Sequence, residues 1–130
     1  MESADRSCVF FHKPGVGLAE AEAALRDSGL DVTRHGDALE VSRQGSPALT
    51  VRVVRGEGIR KDAGRLGRAK PFEHLLRRCD AAFVITFEDL DRILEDPKVL
   101  TEVQLRLRKA TDGVIARSWN DELSGPEEGD

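Results

Sequence analysis

The chain has 130 residues, of which 39% are apolar and 34% are charged, and its formal net charge is −4. A chain of this length fits one compact domain that buries roughly two-thirds of the surface exposed when it is unfolded, which argues against disorder throughout. The sequence shows no signal peptide and no apolar run of the roughly 20 residues that a membrane helix needs, so we expect a cytoplasmic protein without a membrane partner.

The first residues of the chain predict a strand followed by a helix. Residues 8–11 are a short apolar run of the kind found in buried strands. The alanine-rich run from Leu18 favours a helix, and Gly29 is expected to end it. With Gly29 in the left-handed conformation, Leu25 and Leu30 occupy the two positions whose side chains touch in a Schellman closure.

Three strands are predicted next, at 30–35, 38–43 and 48–54, with turn-forming residues between them. Apolar residues such as Leu39 and Val41 alternate with polar residues along these strands. This alternation is typical of a sheet with one apolar and one solvated face, so we expect helices to cover the apolar face.

The basic segment, residues 55–78, concentrates positive charge in an acidic chain. It holds eight Lys or Arg residues and three acidic residues, a balance of +5, which leaves −9 for the rest of the chain. Its first part contains four glycines and is predicted to be a loop or one short turn, because glycine disfavours helices. After Pro71 a two-turn helix is predicted from apolar residues at helical spacing, which are Phe72, Leu75, Leu76 and Cys79.

The last part of the domain is predicted to contain a central strand, two helices and a final strand. Residues 81–87 are almost wholly apolar and form the central strand. A short helix ends near Glu95, a longer helix ends at Ala110, and residues 114–119 return as the final strand. Residues 124–130 are rich in Gly, Pro and acidic residues and are expected to be disordered.

This order of elements predicts an α+β fold. We expect a single, mostly antiparallel sheet of about five to six strands, covered on one face by helices in the style of ferredoxin-like folds. Residues 1–123 are expected to form this one domain, and residues 124–130 a disordered acidic tail.

Motifs for cofactors and metals are incomplete. Gly15 and Gly17 lie between a strand and a helix, as in phosphate-binding turns, but the third glycine and the lysine of such motifs are missing. Cys8 and His12 are about 13 Å apart along a strand, too far to chelate one ion. We therefore expect no cofactor and no metal, and the two cysteines are expected to be reduced.

Two charged surfaces are candidates for binding. The acidic residues Glu88, Asp91 and Glu95 can cap a helix or pair on its surface, can dock a protein, or can serve catalysis together with His74. The candidate basic surface consists of Arg60, Lys61, Arg65, Arg68, Lys70, Arg77 and Arg78.

The sequence favours a small, non-catalytic binding or regulatory module, such as an accessory or inhibitor-like protein. Such a module would dock a protein partner, or a second copy of itself, through its charged surfaces. The first alternative is binding of nucleic acid or another polyanion through residues 55–78. An enzyme that uses the acidic residues 88–96 is the third hypothesis.

Overall fold

The computed structural model of the chain describes residues 6–12, 15–43, 48–67, 73–87, 90–95, 98–117 and 123–124. The strands are β1 (Arg6–Phe11), β2 (Asp31–His35), β3 (Ala38–Ser42), β4 (Leu49–Arg55), β5 (Ala81–Thr86), β6 (Val114–Arg117) and β7 (Leu123–Ser124). The helices are α1 (Leu18–Asp27), α2 (Glu57–Gly67), α3 (Glu73–Leu76), α4 (Leu90–Glu95) and α5 (Lys98–Thr111).

The strands form one antiparallel sheet in the order β2-β3-β4-β5-β1-β6-β7. The predicted α+β fold with a single antiparallel sheet is therefore confirmed. About five to six strands were expected, and the sheet has seven, of which β7 is a two-residue strand beside β6. Residues 118–119 of the predicted last strand, and residues 125–130 of the predicted disordered tail, lie outside the described part of the chain.

One face of the sheet carries the main apolar core. Inward side chains of the central strands, among them Val9, Phe11, Phe83 and Ile85, are at most 1% exposed. Helices α1, α4 and α5 contribute apolar side chains to the same cluster. This is the helix-covered face that the alternating pattern predicted.

The end of α1 follows the predicted Schellman closure. Gly29 has a φ of +88°. Its backbone N–H donates to the carbonyl of Arg26 at 3.0 Å, and the N–H of Leu30 donates to the carbonyl of Leu25 at 3.4 Å. Leu25 and Leu30 are both buried, so the closure also supplies apolar contact to the core.

Helices α2 and α3 additionally cover part of the opposite face of the sheet. A second apolar cluster there joins Ala63 and Leu76 of these helices to Phe10, Ala82 and Val114 of three strands. Both helices belong to the connection from β4 to β5, which crosses this face. Strands β4 and β5 are neighbours near the middle of the sheet, so the two helices pack over that part of it.

The prediction for the first part of the basic segment was wrong, because residues 57–67 form the eleven-residue helix α2 rather than a loop or single turn. Each interior glycine costs a helix roughly 1 kcal/mol relative to alanine. Burial of Ala63 and partial burial of Ile59 against the sheet offset that cost. Helix propensity is a local property of the sequence and does not predict this contact between the helix and the sheet.

The helix predicted after Pro71 is shorter than expected. Helix α3 is a single turn, Glu73–Leu76, rather than two turns. Leu76 and Cys79 are buried as predicted, whereas Phe72 and the side chain of Leu75 lie outside the described residues. The chain leaves the helix early because residues 79–80 lead directly into β5, where the N–H of Asp80 donates to the carbonyl of Phe11.

Candidate functional site

Helix α2 presents a cationic face to solvent. Ile59 and Ala63, four residues apart, turn toward the sheet. The opposite side of the helix carries Arg60, Lys61 and Arg65, and all three side chains are exposed. A helix repeats every 3.6 residues, so residues 60, 61, 64 and 65 fall on one side of it. The apolar contact with the sheet thus orients the cations outward.

A groove runs between this face of α2 and helix α3. We call it the basic groove; its volume is about 410 Å³ and it is lined by Arg60, Lys61, Gly64, Arg65, Glu73 and Arg77. The lining contains four cations and one carboxylate, which is a net charge of +3. Side chains that are separate in sequence therefore converge on one concave surface.

Half of the cations in the groove are paired with a carboxylate three or four residues earlier in the chain. The guanidinium of Arg65 donates to the carboxylate of Asp62 at 3.0 Å, and that of Arg77 donates to Glu73 at 3.1 Å. Arg60 and Lys61 form no ion pair with any residue in the described part of the chain. Those two side chains carry the charge in the groove that is most available to an outside anion.

The structure brings together four of the seven predicted basic residues, namely Arg60, Lys61, Arg65 and Arg77. Arg78 is exposed beyond the end of α3 but does not line the groove. Arg68 and Lys70 lie outside the described residues. Sequence reasoning missed Gly64 and Glu73 as lining residues. Once both segments are helical, the four-residue spacing of Glu73 and Arg77 is the signal that places these two side chains together.

Arg55 belongs to the basic segment but not to the groove. Its guanidinium lies 5.7 Å from the centre of the Phe11 ring and donates to the backbone carbonyl of Val16. Phe11 is part of the main core, so Arg55 faces the side of the sheet opposite α2. The hydrogen bond from the guanidinium stabilises the loop before α1, and Arg55 does not add positive charge to the basic groove.

The acidic surface lies away from the basic groove. Asp91 and Glu95 are both exposed on α4, while Glu88 lies outside the described residues. Ile93 of the same helix packs in the main core, which is on the opposite side of the sheet from α2. Basic and acidic surfaces on opposite faces cannot both lie in one two-fold interface.

The N-terminus of α1 already holds a carboxylate. The backbone N–H of Gly17 donates to Oε1 of Glu20 at 2.7 Å. Hydrogen bonds from the backbone N–H groups of Gly17 and Glu20 hold the pKa of the Glu20 carboxyl below its usual value. An internal anion therefore occupies the position that a phosphate would take, which argues against phosphate binding at Gly15 and Gly17.

Metal-binding and membrane-spanning features are absent from the described residues. No three His, Cys, Asp or Glu side chains among them are close enough together to hold a metal ion. None of the helices described is both long and apolar enough to cross a membrane. The thiols of Cys8 and Cys79 are not bonded to each other.

Comparison with known proteins gives no relative of this chain. No protein-family model matches the sequence, and searches of curated proteins and of solved structures found no significant match.

Proposed function

We propose that this protein is a small binding module that docks an acidic segment of a protein partner in the basic groove. The observation that carries the proposal is the convergence of three cations of α2 with Arg77, which follows α3; two of the four have no carboxylate partner in the described part of the chain. Charge complementarity of this kind steers association and fixes the register of the partner.

The size of the groove favours a short ligand. A volume of about 410 Å³ is near the lower end of the range for ligand pockets and holds a few side chains rather than a folded surface. Two carboxylates of an extended peptide can reach Arg60 and Lys61 without displacing the ion pairs of Arg65 and Arg77. The acidic partner then forms new ion pairs while the ion pairs within the protein stay intact.

A long polyanion fits the charge distribution less well. Nucleic acid carries one phosphate charge per roughly 1.7 Å of duplex and is bound along extended basic tracts. Here the described groove carries only +3 in a chain of net charge −4, which is a short basic surface compared with the extended tract that a long polymer needs. The described lining also offers no aromatic ring on which a base can stack.

Fluorescence anisotropy with a labelled oligo-glutamate peptide tests the proposal. Reversing two groove charges, as Arg60→Glu with Lys61→Glu, should weaken binding by more than about tenfold, because two cations that line the groove become anions facing the ligand. The matched control is Lys98→Glu with Lys109→Glu. It makes the same change in net charge on exposed positions of α5, on the opposite side of the sheet.

We expect the control to bind the peptide within about twofold of the parent chain, because surface charges beyond a Debye length of about 8 Å are screened at physiological salt. Equal losses in both variants, or no binding of the peptide by the parent chain, would contradict the proposal. A random-sequence oligonucleotide serves as the second ligand. Tighter binding of the oligonucleotide than of the peptide, with affinity that falls steeply as salt rises, would make the groove a nucleic-acid site instead.

A further inference from the structure

Three cations of the basic groove lie toward the same end of it. The backbone N–H of Gly56, which precedes α2, donates to the carbonyl of Asp80, which follows α3, at 2.9 Å. The chain therefore enters α2 and returns from α3 at one point. Arg60 and Lys61 lie about one helical turn after Gly56, and Arg77 comes three residues before Asp80. All three cations thus line the part of the groove nearest this hydrogen bond.

Gly64 leaves the groove open beside these cations. It lines the groove one helical turn after Arg60, on the same side of α2. A methyl group added at Gly64 would meet no other atom within 4 Å, so the space over its Cα is open. A ligand can therefore approach the backbone of α2 more closely here than over a residue that has a side chain.

The cations around this opening offer more donors than one carboxylate can accept. Nη2 of Arg77 donates to the carboxylate of Glu73 at 3.1 Å, and the guanidinium carries N–H groups on two further nitrogens. Arg77 can therefore bind an outside anion and keep its ion pair. The guanidinium of Arg60 and the ammonium of Lys61 add further donors, whereas a carboxylate accepts through two oxygens only.

A phosphoryl group matches this part of the groove better than a carboxylate does. Phosphoserine carries a charge of about −1.5 to −2 at neutral pH and has three strong acceptor oxygens. The groove carries +3 and has room for only a few side chains, so a ligand that places more charge on one residue comes closer to neutralising it. The open space over Gly64 accommodates a tetrahedral group, which is broader than a planar carboxylate.

We infer that the acidic partner segment carries a phosphoserine, and that Arg60, Lys61 and Arg77 hold its phosphoryl group over Gly64. The inference rests on the proposed function, because it names the chemistry of the ligand for the same groove. Phosphorylation adds charge-assisted hydrogen bonds that the unmodified serine cannot form. A kinase acting on the partner would therefore control docking.

Three labelled oligo-glutamate peptides test this inference by fluorescence anisotropy. They differ only at the central residue, which is phosphoserine, glutamate or serine. We expect the parent chain to bind the phosphoserine peptide roughly tenfold more tightly than the glutamate peptide, and the serine peptide most weakly. Equal affinity for the phosphoserine and glutamate peptides would overturn the inference and leave the groove as a site for acidic peptides. If none of the peptides binds, the proposed function is wrong as well.

Variants of the groove test where the phosphoryl group lies. The measured quantity is the ratio of the affinities for the phosphoserine and glutamate peptides, so a general loss of binding cancels. Arg77→Gln should lower this ratio to about twofold, because the phosphoryl group loses a charged donor. Arg92→Gln makes the same change in net charge on the exposed side of α4, across the sheet, and should leave the ratio as in the parent.

A matched pair of glycine variants tests the opening itself. Gly64→Ala places a methyl group in the groove and should lower the same ratio several-fold. Gly58→Ala makes the same change in helix propensity at a position that does not line the groove, and it should keep the ratio of the parent. An unchanged ratio in both Arg77→Gln and Gly64→Ala, or an equal fall in the two control variants, would overturn the inference.

Inorganic phosphate distinguishes a phosphopeptide from a free phosphate ion as the ligand. At constant ionic strength, an unlabelled phosphoserine peptide should displace the labelled one at concentrations where inorganic phosphate does not, because the flanking glutamates add contacts to the groove. Displacement by inorganic phosphate at the same concentrations would make the groove a site for small phosphate ions, contrary to the inference.

Discussion

Cys79 shows how the second apolar cluster acts on a single residue. The side chain is 1% exposed and packs under α3 with Leu76 and Phe10. Burial, and to a smaller extent the neighbouring carboxylate of Asp80, raises the pKa of the Cys79 thiol to about 11. Both influences disfavour the thiolate, so the folded chain holds this proton at pH values where the unfolded chain loses it.

We predict that this thiol makes the stability of the protein fall at high pH. The unfolded thiol loses its proton near pH 9 and the folded one near pH 11, so the stabilising contribution is complete below pH 9 and is lost between the two values. Two pKa units correspond to at most about 2.7 kcal/mol. Urea unfolding of the parent chain and of Cys79→Ala should show the advantage of the parent falling by about 2 kcal/mol over this interval. A constant difference between the two chains would contradict the assignment.

Sequence reasoning at the level of single residues worked where a local rule decides the outcome. The Schellman hydrogen bonds donated by Gly29 and Leu30 follow from one glycine at a helix end, and the structure has them as predicted. The groove is different. Arg60 and Arg77 were both identified as basic candidates, but their convergence depends on the packing of α2 and α3 over neighbouring strands, which no local pattern encodes.

Helix α2 is the element in which propensity and packing conflict most. Gly58 and Gly64 lie within it, and a methyl group added at either position would meet no other atom within 4 Å. The helix forms because its apolar side is buried on the sheet, so these glycines are a cost that the fold tolerates. The alternating strands indicated one covered face. The nearly unbroken apolar run of residues 81–87 is a pattern typical of a strand buried on both faces, but it does not say which segment covers the second face.

We predict that alanine at both glycines stabilises the protein. Gly58→Ala with Gly64→Ala should raise the free energy of unfolding by about 1–2 kcal/mol, because alanine loses less conformational entropy in a helix. Gly56→Ala is the control from the same segment. Its φ of +122° strains any residue with a side chain, so that variant should be destabilised by about 1–3 kcal/mol. Thermal and urea unfolding measure both changes, and a loss of stability in the helix variant would mean that α2 does not persist in solution.

Over the whole molecule, the distribution of charge and of exposed backbone limits self-association. The basic groove and the acidic helix α4 lie on opposite faces of the sheet. A contact between the groove of one copy and α4 of another is therefore head-to-tail, and it does not form a closed dimer. The edge of the sheet formed by β2 is also partly protected. Strand β2 has five residues, four of them exposed, and its carbonyl at Val32 accepts a hydrogen bond from Arg26 at 3.0 Å.

We therefore predict that the full chain is a monomer at moderate salt. Light scattering should give a mass near 14.3 kDa that does not change with protein concentration at about 0.15 M salt, where the Debye length is about 8 Å. At about 0.01 M salt that length grows to about 30 Å, and any association through the two charged surfaces should give a mass that rises continuously with concentration. A stable mass of twice the monomer at both salt concentrations would contradict this reasoning, because it requires a closed interface that the opposite placement of the charged surfaces does not provide.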